Sequence, residues 1–542
     1  MQKLYLKALA SSFFLWLAWP PMSFTAPLLL LAFVPLLQVT ESIIHSDIKK
    51  KGRKLFTLSF LVFFVWNTSC IYWVFNSLNA VIPSWIAIFI SLIPFGLAPL
   101  LMSIAWLLYY QLRKVSSRSV SYIGLVCFWI GYEYLHQTWD LAFPWMTLGN
   151  GFASSHQLVQ WYEYTGVYGG TLWIWAANIL AFELTMAKSS PAATAFKDQK
   201  KYSLLLSAVV LIPITASYLI YTKYKEHENP ANVVVVQPNI DPYEKFGSIP
   251  ASEQVKNLIR LSDSLGQPNT EYFIWPETAI PGYMDEDKIL EDQNYLEVQS
   301  FLKKYKNGNV LTGIESFRTY DFQKTKTARY DNQSGNYYDA FNAATQIENS
   351  SKTQFYHKSK LVPGVEQTPF SSALSFLKPL FKAFGGSTGS YGYQDEPTVF
   401  YSQSGIGVAP IICYESIWGE YVGEYVKKGA QFIAIVTNDA WWGNTSGKDQ
   451  HFDYAKLRAI ETRRWIARSA NTGISGFINQ RGDVVKKSKW WVATSLKADI
   501  NLNEDLTFYV EHGDYIALIG VFASIGFIIL IAFKKVTAKR SH

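Results

Sequence analysis

A single cysteine stands in the polar part of this chain, in the segment V-A-P-I-I-C-Y-E-S-I-W-G-E from Val408 to Glu420. The pattern predicts an apolar strand that ends at Cys413 and a helix that begins near Ser416. A cysteine at such a turn can present its sulfur at the edge of a sheet, beside backbone N–H groups that would hold an oxyanion. Most lone cysteines are instead inert members of an apolar core. Cys413 is therefore a candidate nucleophile whose support must come from the rest of the sequence.

Acidic and basic residues at other strand ends supply the remaining groups that such chemistry needs. Glu277 closes an apolar run in F-I-W-P-E-T-A-I-P, where two prolines force a turn. Lys358 and Lys360 precede a short apolar segment in Y-H-K-S-K-L-V-P-G-V-E, and Glu366 ends it. Glu415 follows the cysteine by two residues. Taken singly, such residues are usually solvated surface charges, and Glu415 also suits the first turn of a helix, where a carboxylate complements the helix dipole.

The composition indicates a membrane protein with a large polar part. Hydrophobic residues make up 49% of the 542, aromatic residues 16% and charged residues only 17%, yet the mean hydropathy is only +0.04. The net charge of +7 does not indicate nucleic-acid binding, because the basic residues lie in short loops between apolar runs. Three cysteines, at positions 70, 127 and 413, cannot form a disulfide framework or a zinc site. No metal and no cofactor is expected.

Eight apolar stretches are long enough to cross a bilayer, which takes about 20 helical residues. They occupy roughly residues 4–20, 26–44, 55–76, 84–112, 120–138, 168–187, 203–222 and 513–533. The loops Pro21–Ala26, Asn76–Pro83 and Thr138–Gly166 contain no Lys or Arg, whereas the intervening loops are basic. By the positive-inside rule both termini face the cytoplasm, and the seven upstream spans deliver the polar region to the opposite side.

Residues 228–506 have the pattern of a soluble α/β domain, in which short β-branched runs alternate with helical patterns. The chain is therefore expected to combine a membrane α-helical bundle with an α/β domain. Its three parts are residues 1–227 with seven spans, residues 228–506, and residues 507–542 with the last span. The runs expected as strands are Val233–Val236, Tyr272–Trp275, Asn309–Thr312, Gly407–Ile412, Phe432–Val436 and Ile474–Asn479.

The order of the polar motifs is similar to that of the nitrilase superfamily. W-P-E-T is followed by K-S-K-L-V-P, by an acid eight residues past the first lysine, and by C-Y-E. The match continues in T-N-D-A-W-W-G and S-A-N-T-G-I-S. This resemblance implies an α-β-β-α sandwich with a Glu-Lys-Cys catalytic set. With seven spans upstream and one downstream, the whole chain resembles the apolipoprotein N-acyltransferase family. V-V-Q-P-N-I resembles the first strand of that family's soluble domain, and F-P-W-M-T-L-G resembles its periplasmic loop.

The resemblance implies roles for particular residues. Glu277 would be the general base, Lys358 the cation that stabilises the oxyanion, and Cys413 the nucleophile. The family has a Gly-Glu pair after the proline where this chain has P-G-V-E, but the spacing from the lysine to the second acid is kept, which favours Lys358 over Lys360. The resemblance also implies that Glu366 and Asn342 support the site. Four more residues would line the acyl or substrate pocket: Glu415, Tyr414, Trp441 and Trp442.

The implied reaction is acyl transfer in two steps. A phospholipid, as acyl donor, would acylate the cysteine to a thioester and leave as a lysophospholipid. The α-amine of the diacylglyceryl-cysteine at an apolipoprotein's N-terminus would then accept the acyl chain. The resemblance implies a multi-pass protein of the bacterial inner membrane, with its catalytic domain on the periplasmic side. The sequence gives no sign of an obligate subunit, so a monomer is expected.

An apolar segment rich in Gly and Ser lies between the lysine and cysteine motifs, from Ser371 to Tyr393. Such an arm can dip into lipid and control access to a site, or its apolar residues can simply pack on the domain. If the arm dips into lipid, its five large apolar residues would form the lipid entrance: Phe376, Leu377, Leu380, Phe381 and Phe384.

Two other functions remain as alternatives. A membrane-tethered amidase or hydrolase of the nitrilase type would use the same three residues and pass its thioester to water. However, one span suffices for tethering, and this chain has eight. A transporter or scaffold would carry charged residues along a path through the membrane, yet Glu133 and Glu183 are among the few acidic residues in the apolar stretches.

Overall fold

The structure is a computed structural model that describes residues 2–80, 82–188, 195–242, 244–245, 247–370 and 390–540. The chain divides into two compact units. One contains residues 1–78, 83–223 and 512–542, and the other contains residues 79–82 and 224–511. The lipid-entrance residues expected from the sequence, Phe376, Leu377, Leu380, Phe381 and Phe384, lie outside the described residues.

The first unit is helical. A long helix that includes residue 166 bends there, because Gly166 has a φ of +58° in the left-handed region. Three short 3₁₀ segments, Ala26–Leu30, Pro144–Met146 and Leu148–Leu158, lie between the longer helices. The α-helices are α1 Gln2–Leu17, α2 Val34–Ile44, α3 Lys51–Ile71, α4 Trp73–Asn79, α5 Ser84–Arg113, α6 Arg118–Thr138, α7 Tyr162–Lys188, α8 Ala195–Lys223 and, near the end of the chain, Tyr515–Arg540.

Six helical segments of the described chain are long and apolar enough to cross a membrane. Five precede the polar region and one follows it, which agrees with the expected arrangement but not with the count of eight. The expected spans at residues 4–20 and 120–138 are helical in the structure as α1 and α6. However, α1 has only 16 residues, and α6 carries Glu133 and His136 in its second half. The six segments are Ala26–Ile44, Lys51–Ile71, Ser84–Arg113, Tyr162–Lys188, Phe196–Lys223 and Tyr515–Ala538.

The second unit contains two β-sheets within its described residues. An eight-stranded sheet has the order β14-β1-β2-β4-β6-β5, with β3 also paired to β4 and β7 to β6, and a six-stranded sheet has the order β13-β12-β11-β10-β9-β8. The strands are β1 Pro230–Gln237, β2 Thr270–Ile274, β3 Ile280–Asp285, β4 Asn309–Tyr320, β5 Arg329–Tyr330, β6 Tyr337–Ile347, β7 Gln354–His357, β8 Phe400–Tyr401, β9 Gly407–Ile412, β10 Phe432–Thr437, β11 Ile466–Ala470, β12 Gly476–Ile478, β13 Val484–Lys487 and β14 Thr494–Asn501.

The two sheets face each other through apolar side chains and are covered by helices. The rings of Tyr272 on β2 and Phe432 on β10 meet between the sheets, with centroids 5.2 Å apart. On the other face of the first sheet, Phe273 and Trp275 join a buried core with residues of α9 and α10, because successive side chains of a strand point to opposite faces. The second sheet packs against α11 and α12. The remaining helices of this unit are α9 Ala251–Asp263, α10 Gln293–Leu302, α11 Gly419–Lys427, α12 Ser446–Thr462 and α13 Phe508–His512, which makes Tyr515–Arg540 α14.

All six runs expected as strands coincide with or overlap strands of the structure, so the expected α/β architecture is confirmed. The central strands of both sheets run parallel, since β1, β2 and β4 pair in parallel, as do β9, β10 and β11. In such sheets, the loops at the carboxyl ends of the strands meet at one edge. Glu277 follows β2, Lys358 follows β7 and Cys413 follows β9.

Candidate active site

The structure brings together the lysine and two of the glutamates that were expected from the sequence. Lys358 Nζ lies 3.2 Å from Glu277 Oε1 and 2.8 Å from Glu366 Oε1. Asn342 Nδ2 donates to the same two oxygens, each at 2.8 Å. All four residues are at most 8% exposed. Burial opposes the positive charge of Lys358, but the two carboxylates outweigh it and raise the pKa of the lysine well above its usual value. The lysine therefore remains an ammonium at neutral pH.

The loop between Lys358 and Glu366 keeps this contact despite its departure from the family pattern. Gly364 turns the chain with a φ of +82°, and Val365 points outward with 55% of its surface exposed. Glu366 returns to the site, where its second oxygen accepts from the backbone N–H of Val362 at 2.8 Å. Val365 therefore occupies the outside of the turn and does not displace the carboxylate of Glu366.

Glu277 is held where the chain leaves β2 and passes along β4. A Cβ added to Gly313 would lie 2.6 Å from Glu277 Cα, so only glycine permits this approach. The next residue, Thr278, has a φ of +47°, which is unfavourable for a branched side chain. Lys245 secures this turn, since its Nζ donates to Glu277 O at 3.0 Å and to Thr278 Oγ1 at 2.7 Å.

Cys413 has the backbone conformation expected of a nucleophile at a strand-to-helix turn. Its φ of +50° lies in the left-handed region, and a 3₁₀ helix, Cys413–Ile417, starts there. The residue is partly exposed, and the other two cysteines of the chain, Cys70 and Cys127, belong to the helical unit. Desolvation of the thiol and the charge of Glu277 raise the pKa of Cys413, while Lys358 acts in the opposite direction. The resting thiol is therefore protonated, and forming a thiolate requires a base.

Comparisons with known proteins agree with this geometry. Residues 11–180 match the family model of the apolipoprotein N-acyltransferase N-terminal domain, and residues 232–504 match the carbon-nitrogen hydrolase model. A protein of Chlorobaculum tepidum named apolipoprotein N-acyltransferase is 31% identical over 92% of this chain and 90% of the relative. The chain belongs to the apolipoprotein N-acyltransferase family. A protein of Geobacter metallireducens with the same name is 27% identical over 95% of this chain and 92% of its own length.

The family resemblance seen in the sequence is thus confirmed, and the chain is assigned to a family of acyltransferases within the carbon-nitrogen hydrolase superfamily. The three residues matched to the Glu-Lys-Cys set all lie in the segment that matches the hydrolase model. No group of three or more metal-binding side chains occurs in the part of the chain that the structure describes.

In this apolipoprotein N-acyltransferase family member, the side chain of Glu415, which is expected from the resemblance to line the pocket, is completely buried. One carboxylate oxygen accepts from the backbone N–H groups of Ser359 at 2.7 Å and Lys360 at 3.1 Å, and from Tyr356 Oη at 2.5 Å. The other accepts from the backbone N–H of Ile412 at 2.9 Å. Glu415 therefore ties the segment after Lys358 to the strand that ends at Cys413.

The aromatic residues expected around the pocket have different surroundings. Tyr414 is 6% exposed and packs edge-on against Trp418, with ring centroids 4.8 Å apart. Trp441 is 36% exposed, and the ring of Trp442 lies 5.1 Å from that of His451. Trp441 is thus the most exposed of the three, and Tyr414 contributes to the packing beside the cysteine.

The sequence did not predict a buried charged cluster that contacts the backbone of Cys413. Asp439 Oδ1 lies 3.0 Å from His451 Nδ1, and Asp439 Oδ2 accepts from Arg468 Nη2 at 2.6 Å. On the other side of its ring, His451 Nε2 lies 3.2 Å from the carbonyl oxygen of Cys413. Burial opposes ionisation of Asp439, but Arg468 and His451 overcome it and hold its pKa well below the usual range. The motif T-N-D-A-W-W-G contained this aspartate, but nothing in the sequence indicated which residues it contacts.

Proposed function

We propose that this chain transfers an acyl chain from a phospholipid to the α-amine of a diacylglyceryl-cysteine at the N-terminus of an apolipoprotein. The observation that carries the proposal is the buried Lys358 ammonium between Glu277 and Glu366, at 3.2 and 2.8 Å, close enough to the partly exposed Cys413 to influence its pKa. A nucleophile, a base and a fixed cation are what acyl transfer through a thioester needs. The name of the family supports lipoprotein N-acylation as the overall reaction.

In the first half-reaction, Glu277 takes the proton of the Cys413 thiol, and the sulfur attacks the ester carbonyl of the phospholipid. Lys358 favours the negative charge as it passes from sulfur to the tetrahedral oxygen. The ester C–O bond then breaks, and Glu277 returns the proton to the departing lysophospholipid oxygen. The products are a lysophospholipid and an S-acyl cysteine.

In the second half-reaction, the acceptor amine attacks the thioester carbonyl. The new C–N bond forms as the C–S bond breaks, and the sulfur and Glu277 together take up the proton that the nitrogen loses. Glu366 and Asn342 hold Lys358 and Glu277 in place throughout. Because water would hydrolyse the thioester, the proposal requires that the site admit an amine while excluding water.

The proposed organisation has three parts, with residues 1–227 and 507–542 in the bacterial inner membrane and residues 228–506 on the periplasmic side. Alternation between basic and uncharged loops supports this topology, with both termini in the cytoplasm. One chain supplies all the residues of the mechanism, so the proposal requires only a monomer.

The proposal can be tested by intact-protein mass spectrometry of the full chain in detergent. Incubation with phospholipid should add the mass of one acyl chain, and Cys413→Ala should add none. A synthetic peptide with an N-terminal diacylglyceryl-cysteine should then remove the acyl mass and gain it on its amine. Loss of the acyl mass at the same rate with and without the peptide would instead support a hydrolase, and the absence of any adduct would exclude the proposed mechanism.

A further inference from the structure

A fourth acidic residue, Glu315, lies on the same face of the first sheet as the candidate active site. It is two residues beyond Gly313 on β4, so both project from the same face of the strand. Gly313 is the residue that Glu277 approaches closely. Directly opposite Glu315 in the ladder between β4 and β6 is Asn342, whose amide contacts both Glu277 and Glu366. Glu315 is therefore an immediate neighbour of the catalytic set, although the proposed mechanism does not use it.

The surroundings of Glu315 leave part of its carboxylate available. Oε1 accepts from Tyr391 Oη at 3.0 Å, and Oε2 has no hydrogen bond to any of the described residues. The residue is partly exposed. Tyr283, its neighbour on β3, is 55% exposed and bonded to Tyr391. A carboxylate with one free oxygen beside two tyrosine rings suits a cationic ligand, which the rings can also attract.

A second unsatisfied acceptor lies across the ladder. Asn342 is only 5% exposed, and while its Nδ2 donates to two carboxylates, its Oδ1 is buried without a hydrogen-bond partner among the described residues. A buried acceptor of this kind costs free energy unless a ligand or water satisfies it. An ammonium group carries three N–H donors and no acceptor. The free oxygens of Glu315 and Asn342 thus match the same kind of group.

We propose that Glu315 and Asn342 Oδ1 form a subsite for the primary ammonium of the acceptor. This inference rests on the proposed function and assigns residues to its second half-reaction. The carboxylates of Glu277 and Glu366 are already paired with Lys358, which leaves Glu315 as the carboxylate available to a cationic amine. Burial and the charge of Glu277 raise the pKa of Glu315, against the effects of Tyr391 and Lys245. A more basic carboxylate is a better proton acceptor for an alkylammonium.

The chemical role of the subsite is to bind the acceptor and prepare it for attack. An ammonium cannot attack a thioester, because its nitrogen has no lone pair. Glu315 takes one proton, giving a neutral amine and a protonated carboxyl group. The amine attacks the acyl carbonyl, the sulfur leaves as thiolate, and the second proton released by the nitrogen passes to Glu277 or the sulfur. Glu315 later releases its proton to water.

The test separates the two half-reactions in the full-length protein. For Glu315→Gln, acylation of Cys413 by phospholipid should proceed within about twofold of the unaltered rate. Transfer from the isolated acyl-enzyme to a diacylglyceryl-cysteine peptide at pH 7 should slow at least tenfold, with a higher KM for the peptide. The transfer rate should recover as the pH rises, because the peptide amine then arrives neutral. Glu291→Gln makes the same change at an exposed position and should alter neither rate.

Hydroxylamine provides a chemical control, since it is an amine that is already neutral at pH 7. Its attack on the acyl-enzyme should be equally fast in the unaltered protein and in Glu315→Gln. Equal slowing of acylation, peptide transfer and hydroxylamine attack would indicate a structural role for Glu315 and overturn the subsite, as would unchanged peptide transfer. If the unaltered protein formed no acyl-enzyme, the proposed function itself would fail. Glu315→Asp, which keeps the charge but shortens the side chain, should show an intermediate loss and serves as a second variant.

Discussion

At the scale of single residues, the site depends on a few buried charges that neutralise one another. The Lys358 ammonium is paired with the carboxylates of Glu277 and Glu366, and the Asn342 side chain donates a hydrogen bond to each carboxylate. Removing one buried partner leaves the others with an uncompensated charge. Substitutions in this group should therefore change both chemistry and local structure, so a test of function has to compare individual reaction steps.

The first prediction concerns the base. Glu277→Gln keeps the size of the side chain but cannot accept the thiol proton, so acylation of Cys413 should slow by about 10²–10⁴ fold. The rate of acyl-enzyme formation, followed by intact mass in single turnover, measures this directly. Normal acylation by this variant would exclude Glu277 as the base.

The second prediction concerns Lys245, which holds the backbone of Glu277 and the hydroxyl of Thr278. Burial lowers the pKa of Lys245 to about 8, although the charges of Glu277 and Glu315 oppose this shift. We expect acylation to decline as the pH rises through 8 and the ammonium is lost. Lys245→Arg should keep its activity to higher pH, because arginine stays protonated, and Lys245→Met should be slow at every pH.

A loss of stability cannot imitate this profile. Because the folded pKa of Lys245 is below its ordinary value of 10.5, the unfolded chain binds more protons between about pH 8 and that value. The free energy of unfolding attributable to this lysine therefore increases over the range where activity should fall. If the acylation rate fell at the same alkaline pH in Lys245→Arg and in the unaltered protein, a group other than Lys245 would control this decline.

The sequence identified part of this site because its motifs stand at strand ends. Glu277, Lys358 and Glu366 were assigned by motif order, and the structure brings them into contact. Lys245, Arg468 and Glu315 carried no comparable signal, because their significance arises from contacts made across strands and loops far apart in the chain. Glu415 was recognised as a pocket residue, but the sequence could not show that its oxygens would accept hydrogen bonds from the backbone of Ser359 and Ile412.

At the scale of secondary-structure elements, the buried Asp439 joins two strands of the second sheet to a helix that covers it. It follows β10, its partner His451 is on α12, and Arg468 is on β11. Thr437 Oγ1 also donates to Asp439 at 2.9 Å. The cluster thus supports the turn at Cys413 through the contact between His451 and the carbonyl oxygen of the cysteine.

Asp439→Asn should reduce the stability of the catalytic domain by about 3–5 kcal/mol, because it leaves a buried Arg468 without its counter-charge. The depressed pKa of Asp439 means that its contribution is fully present above about pH 4 and is lost as the pH falls further. Thermal unfolding followed by tryptophan fluorescence should show a lower Tm for the variant at pH 7, with the difference shrinking toward pH 3. An equal difference at both pH values would contradict the role of the ionised carboxylate.

Long apolar strands were predicted well, and short or polar elements were not. The run Gly407–Ile412 matches β9 at both ends. By contrast, β5 and β8 have two residues each, and β13 is exposed along its whole length. Such strands exist because a neighbouring strand offers hydrogen bonds, so their own residues carry no alternation that a sequence could reveal.

At the scale of the whole molecule, the topology remains a prediction from loop charge. Asp47, between α2 and α3, should face the cytoplasm, and Asn332, in the catalytic domain, should face the periplasm. Both are exposed in the structure. In a variant with the native cysteines replaced by serine, a membrane-impermeant maleimide added to spheroplasts should label Asn332→Cys at once and Asp47→Cys only after permeabilisation. Labelling of both before permeabilisation, or of Asp47→Cys alone, would require a different topology.

The placement of Glu415 has a consequence for how the protein exchanges its two substrates. Its four hydrogen bonds join the segment after Lys358 to the strand that ends at Cys413, so separating Lys358 from Cys413 would require that these bonds break. In the proposed mechanism, a lysophospholipid must leave and a lipoprotein must enter while the thioester survives. We therefore expect the motion that admits the second lipid to occur in segments that Glu415 does not hold, with the lysine and the cysteine staying together.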